Sequence, residues 1–184
     1  MKKYTLIFTI LMSMLATTCL AQPSPPSASV VMKEAIAKAT KENKKIILIF
    51  HASWCVWCHK MDSSLNDPAC KEFFDKHYVI RHITVQESKG KENLQNPGGE
   101  ALLNDLGGKD NGLPYWAVFD GYGEFLYNSK MDTKQADGTI KGVSVGCPAE
   151  DTEVEFFIEI LKKTAPISLE EQNAIVKRFR MNKH

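Results

Sequence analysis

Five consecutive apolar residues, Ile46-Ile47-Leu48-Ile49-Phe50, follow Lys45 with no polar side chain among them. Successive side chains of a strand point to opposite faces, so a run that is apolar at every position must be covered on both. This predicts a fully buried strand in a parallel or mixed sheet. Ahead of it, Val30, Val31, Ala35, Ile36 and Ala39 recur at helical spacing beside Lys33, Glu34, Lys38 and Lys41, which predicts an amphipathic helix ending near Asn43. Residues Tyr78 to Val85 read as a second strand, giving a β-α-β order that calls for a right-handed crossover.

A helical pattern begins at about Cys58 and restarts at Asn66-Asp67-Pro68, where Asp67 suits an N-cap and Pro68 the first turn. Residues Gln86 to Gly112 are polar and glycine-rich, with one short helical piece from Glu100 to Leu106, and read as a long surface excursion. The strand-like runs Tyr115 to Phe119 and Glu124 to Asn128 are joined by Asp120-Gly121-Tyr122-Gly123, a hairpin signal. Pro148 to Lys162 reads as an amphipathic helix. Ser168-Leu169-Glu170-Glu171 has the capping-box form that opens another, running to about Arg180.

The amino end has the order of a secretory signal peptide over residues 1–21: Lys2 and Lys3, an apolar stretch from Leu6 to Leu15, then small or neutral residues up to Ala21. The apolar stretch is short of the roughly 20 residues that span a bilayer, so cleavage after Ala21 is the expectation and lipid attachment at Cys19 the competing one. Three prolines and two serines then make residues 22–28 a short linker. Residues 29–184 suffice for one domain with a C-terminal helical extension. The net charge is +1 with acids and bases interspersed, so nothing marks a nucleic-acid surface or a polybasic membrane contact. A monomer is expected, and function must come from a site.

Beyond the signal the chain keeps Cys55, Cys58, Cys70 and Cys147. The first two form Trp54-Cys55-Val56-Trp57-Cys58, directly after the apolar strand and at the start of a helix. Two cysteines so spaced can close a small disulfide ring, and the positive end of a helix favours the thiolate of the first. Cys55 is then the nucleophile and Cys58 the resolving thiol. C-x-x-C also occurs in zinc sites, but no second ligand pair has matching spacing. The rival from another class is a soft-metal-binding or metallochaperone protein using Cys55, Cys58, His59 and Met61. Cys70 and Cys147 form a candidate structural disulfide, with two buried free thiols as the alternative. His51, His77 and His82 sit beside apolar runs and read as structural, with His51 the one to watch because it lies four residues before Cys55.

The order helix, strand, W-C-x-x-C, helix, strand, then Leu113-Pro114 before a hairpin and a last helix resembles the thioredoxin superfamily. Trp54-Cys55-Val56-Trp57-Cys58-His59-Lys60-Met61 is similar to a thioredoxin-like subgroup with the pattern W-C-x-W-C-H-x-M. The resemblance covers roughly Ser29 to Lys163. It implies a three-layer α/β/α sandwich with a central mixed sheet, a thiol–disulfide oxidoreductase of reductase or isomerase type, and no cofactor or metal beyond the redox-active Cys55–Cys58 disulfide. It also implies that Pro114 is a cis-proline packed against the cysteine pair, that Leu113 offers its backbone to an extended substrate, and that Trp54 and Trp57 line the substrate surface. Expected partners are disulfides of exported proteins or a membrane-bound redox protein, in a periplasmic or other extracytoplasmic setting. Thioredoxins carry a buried acid six positions before the first cysteine; Ile49 stands there in this chain, and His59 is the nearest titratable candidate for proton exchange. Val56-Trp57 between the cysteines leaves the direction of reaction open. A third reading is a redox-idle thioredoxin-like binding module using residues 86–112.

Overall fold

The computed structural model describes residues 24–183. The expected signal peptide with Cys19, and the first two residues of the expected linker, lie outside them. Ser27 caps the first helix, α1 (Ala28–Glu42), by accepting a hydrogen bond from the Val30 amide, and Asn43 ends it in the left-handed conformation. The last linker residues are tied down: Asn96 Nδ2 donates to the Pro26 carbonyl at 2.7 Å, and the Ala28 amide donates to Pro97 O at 2.9 Å.

The buried run forms β1 (Lys45–His51). After a short loop come α2 (Val56–Leu65) and α3 (Pro68–His77), the latter capped by Asp67 with proline in its first turn as expected. They lead to β2 (Tyr78–Thr84), which lies parallel to β1 with Ile49 opposite His82 and His51 opposite Thr84. The excursion contains a 3₁₀ turn (Glu92–Leu94) and α4 (Gly99–Asp105). Strands β3 (Tyr115–Phe119) and β4 (Phe125–Asn128) follow, β3 antiparallel to β1 and β4 antiparallel to β3. The four-stranded mixed sheet has the order β2-β1-β3-β4. Gly123 makes the β3–β4 turn possible because it holds φ at +92°, which side chains rarely adopt.

Helices α5 (Asp151–Thr164) and α6 (Leu169–Arg180) complete the chain, each opened by a capping box, and a 3₁₀ turn over Met181–Lys183 follows. One feature is absent from the sequence reading: a separate two-stranded sheet of β5 (Lys130–Lys134) and β6 (Ile140–Ser144) inserted between β4 and α5.

Strand alternation explains the layers. Ile47 and Ile49 of β1 and Trp116 and Val118 of β3 join Met61, Phe74, Phe157, Leu161 and Phe179 from α2, α3, α5 and α6 in one apolar cluster. Ile46, Leu48, Phe50, Tyr115 and Ala117 point the other way, onto α1 and α4 through Ala35, Ala39 and Leu103. The result is the expected three-layer α/β/α sandwich about a mixed sheet. Each large side chain withdrawn from water contributes roughly 1.5–3 kcal/mol.

Candidate redox site

The loop after β1 delivers Cys55 as the N-cap of α2, with Cys58 one turn in. Their sulfurs are bonded, and the Cys58 amide donates to Cys55 Sγ at 3.1 Å. No acidic residue occupies the first turn of α2, so within that turn nothing offsets the positive end of the helix at Cys55. Both cysteines are buried, at 3% and 1% exposure.

The flanking tryptophans are open, Trp54 at 52% and Trp57 at 45% exposure. Trp54 is held from outside the motif: its Nε1 donates to the Gln86 carbonyl at 2.8 Å. The residue before it is clamped as well, since both the amide and the hydroxyl of Ser53 donate to the Glu87 carboxylate at 2.6 and 2.7 Å. Burial alone would raise the Glu87 pKa, but these two hydrogen bonds outweigh it and hold the carboxyl below its ordinary value. On the other side, Lys60 Nζ sits 4.6 Å above the Trp57 ring and donates to the Asn182 carbonyl at 2.6 Å.

The Leu113–Pro114 peptide bond is cis, and Leu113 packs against the small apolar cluster of Ala52, Cys55 and Cys58. A cleft of 360 Å³ runs from Trp57 past Leu113 to Val145, Gly146 and Glu153. Its far wall begins where β6 ends, so the inserted hairpin borders the redox site. That contribution could not be read from the sequence, where residues 129–147 lack any apolar period.

The other candidates separate. Cys70 and Cys147 are free buried thiols and form no disulfide, which corrects the bridge expected as one option. Each sulfur is engaged elsewhere: Cys70 Sγ contacts the Ala174 carbonyl of α6 at 3.9 Å, whereas Cys147 Sγ accepts from Asn182 Nδ2 at 3.3 Å. Met61 is fully buried in the core beneath the sheet, while His59 is exposed, its Nε2 donating to the Ser53 carbonyl at 3.2 Å. The four ligands of the metal-binding reading therefore do not converge. Among the described residues no group of three or more His, Cys, Asp or Glu side chains is placed to hold a metal ion.

Behind the motif, two of the histidines expected to be structural join Asp62 in a cluster. His82 Nε2 donates to Asp62 Oδ1 at 2.8 Å, the His82 and His51 rings are 4.9 Å apart, and His51 Nε2 is 3.1 Å from Thr84 Oγ1. Burial, with the neighbouring His82, pushes the His51 pKa down. The signal was available in principle, because the β1–β2 register that pairs Ile49 with His82 brings the two histidines onto one face.

The family model described as thioredoxin-like matches residues 30–121, which are 92 of the 184. The chain belongs to the thioredoxin-like family. Among solved structures, this thioredoxin-like protein resembles a disulphide isomerase from Xylella fastidiosa Temecula1, with 20% identity, 91% of this chain and 100% of that one covered, and a TM-score of 0.48. It also resembles the reduced DsbD C-terminal domain of Neisseria meningitidis, at 22% identity, 77% and 100% coverage, and a TM-score of 0.44. A thioredoxin from Thermus thermophilus matches at 19% identity, 71% and 82% coverage, and a TM-score of 0.40. No curated protein matches the chain.

Proposed function

We propose that the protein is an exported thiol–disulfide oxidoreductase that reduces or isomerises disulfides of other exported proteins or exchanges disulfides with a membrane-bound redox partner. The observation that carries this reading is the Cys55–Cys58 disulfide closed at the amino end of α2, with exposed tryptophans on either side and Leu113 packed against it. A helix start stabilises the Cys55 thiolate, which attacks one sulfur of a substrate disulfide and releases the other as a thiolate. Cys58 then loses its proton and attacks Cys55 Sγ. The second substrate thiolate departs, leaving a reduced substrate and an oxidised pair. Export is supported by the charged, apolar and small-residue order of residues 1–21.

The test is the equilibrium potential of the Cys55–Cys58 pair in glutathione buffers, followed by tryptophan fluorescence. A value near −270 mV is the reductase outcome and one of about −180 mV the isomerase outcome. A pair with no reversible couple in that range would sink the proposal. In parallel, Cys58→Ala should accumulate mixed disulfides through Cys55, because the resolving step is removed while the attacking one is kept.

A further inference from the structure

Resolution by Cys58 needs a proton acceptor, and Ile49 occupies the β1 position where a buried acid would serve. His59 stands on the exposed side of α2, tethered by its Nε2 to the Ser53 carbonyl, whereas the Cys58 thiol is buried. What the fold does place one helical turn from Cys58 is Asp62. Residues four apart on a helix are neighbours, with Cβ atoms about 5–6 Å from one another. Asp62 is half-buried and Cys58 fully so.

Asp62 is also backed. A carboxylate only accepts, so the His82 Nε2 that binds it carries a proton and points its charge-stabilising N–H at the acid. The His82 ring stands against His51, whose own ring reaches Thr84. Both histidines project from strands on the sheet face that α2 covers, beside and beyond Ile49. The other titratable groups bearing on His51 are Glu87 from the loop after β2 and His59 from α2.

We infer that Asp62, oriented by His82 and His51, exchanges the proton of Cys58 in both directions of the redox cycle. This rests on the oxidoreductase reading above and assigns a part of its chemistry. When the substrate disulfide is reduced, the Cys58 proton passes to Asp62, directly or through one water, as the Cys58 thiolate attacks Cys55. When the closed pair is itself reduced by an incoming thiolate attacking Cys55, the departing Cys58 thiolate recovers that proton. Asp62 is the exchanging group, and His82 and His51 are positioning residues.

The test uses the reduced full-length protein mixed with a chromogenic aromatic disulfide, dithiobis(nitrobenzoate), under stopped flow. Attack by Cys55 releases a first nitrothiolate and resolution by Cys58 a second, so the two steps are read separately. Asp62→Asn should leave the first phase within about twofold and slow the second about a hundredfold near pH 7, the lower end of the roughly 10²–10⁴-fold contributed by positioned acid–base groups. Hydroxide replaces the lost acceptor as the pH rises, so the difference should close towards pH 10. His82→Gln should reproduce this pattern more weakly, and gives an independent reading should Asp62→Asn fold poorly. An unchanged second phase in both variants, equal slowing of both phases, or a second-phase defect of the same size at every pH would overturn the inference and leave the oxidoreductase reading standing. A wild-type protein that releases no second nitrothiolate would overturn that reading itself.

Discussion

The two pairs of cysteines show how environment divides one side-chain chemistry into two behaviours. Cys55 sits where backbone amides stabilise negative charge; Cys70 and Cys147 sit where burial penalises it, pushing their thiols up to about 11 and about 12. They should therefore resist a water-soluble alkylating reagent at pH 8 in the folded, oxidised protein and react only after denaturant is added, as mass spectrometry can count. Labelling of either in the native protein would contradict the burial. The sign of the linkage follows: a thiol raised in the folded state favours folding below its unfolded value near 9 and loses that contribution as pH climbs towards about 12. A Cys147→Ala variant should thus differ from wild type less at pH 11 than at pH 8 in chemical denaturation. At this scale the sequence was legible where chemistry is local, as for the disulfide ring of Cys55 and Cys58 across three positions. It was silent where partners come from afar, as for Cys147 and Asn182, or for Ser53 and Glu87.

Among elements, those with strong periodicity were readable to within a residue or two: α1, α3 and α6 carry an apolar stripe with a cap of the right type, and β1 and β3 a buried apolar run. Helix α2 begins at Val56 rather than about Cys58, because the start is defined by Cys55 acting as a cap, a role sulfur rarely advertises. The β5–β6 hairpin was invisible because neither face is buried: its residues are half-exposed or exposed throughout, so no alternation of apolar and polar side chains was required. The excursion after β2 gains a purpose only in three dimensions, since Gln86 and Glu87 fix the loop carrying Ser53 and Trp54. Glu87→Ala should release that loop, red-shift and broaden the Trp54 emission, and cost about 1 kcal/mol in urea denaturation, a hydrogen-bond value discounted for solvent. Because the Glu87 carboxyl is held below its ordinary value, the clamp should persist above the unfolded carboxylate pKa and open in the wild type as pH falls through the depressed one. Wild-type Trp54 emission that stays constant from neutral pH into that acidic range would contradict the clamp.

Across the whole molecule, the carboxyl end returns to the redox helix. Arg178 Nε donates to Asp67 Oδ2 at 2.8 Å at the start of α3, and Asn182, only 4% exposed, enters the space between α2 and the segment before α5. Its Nδ2 donates to Ser64 Oγ at 2.9 Å and reaches Cys147 Sγ and the Pro148 carbonyl, while its own carbonyl takes the Lys60 ammonium. One side chain thereby ties α2 to the loop that borders the cleft between Trp57 and Leu113, and its backbone holds the lysine lying over Trp57. Replacing Asn182 with Leu keeps the volume but takes the donor from Cys147 Sγ and the Pro148 carbonyl, and one of two partners from buried Ser64, whose hydroxyl still donates to the Lys60 carbonyl. Leaving such groups unsatisfied costs about 1–3 kcal/mol, most of which should appear as a lowered denaturant midpoint with an unchanged slope. Deleting residues 182–184 goes further, because it also frees Lys60 from the Asn182 carbonyl. If the tail steadies the site as well as the fold, that deletion should quench or shift Trp57 emission in native buffer, whereas Asn182→Leu, which keeps the backbone carbonyl, should not. Identical Trp57 emission in the two variants would reduce the tail to a stability element with no hold on the redox surface.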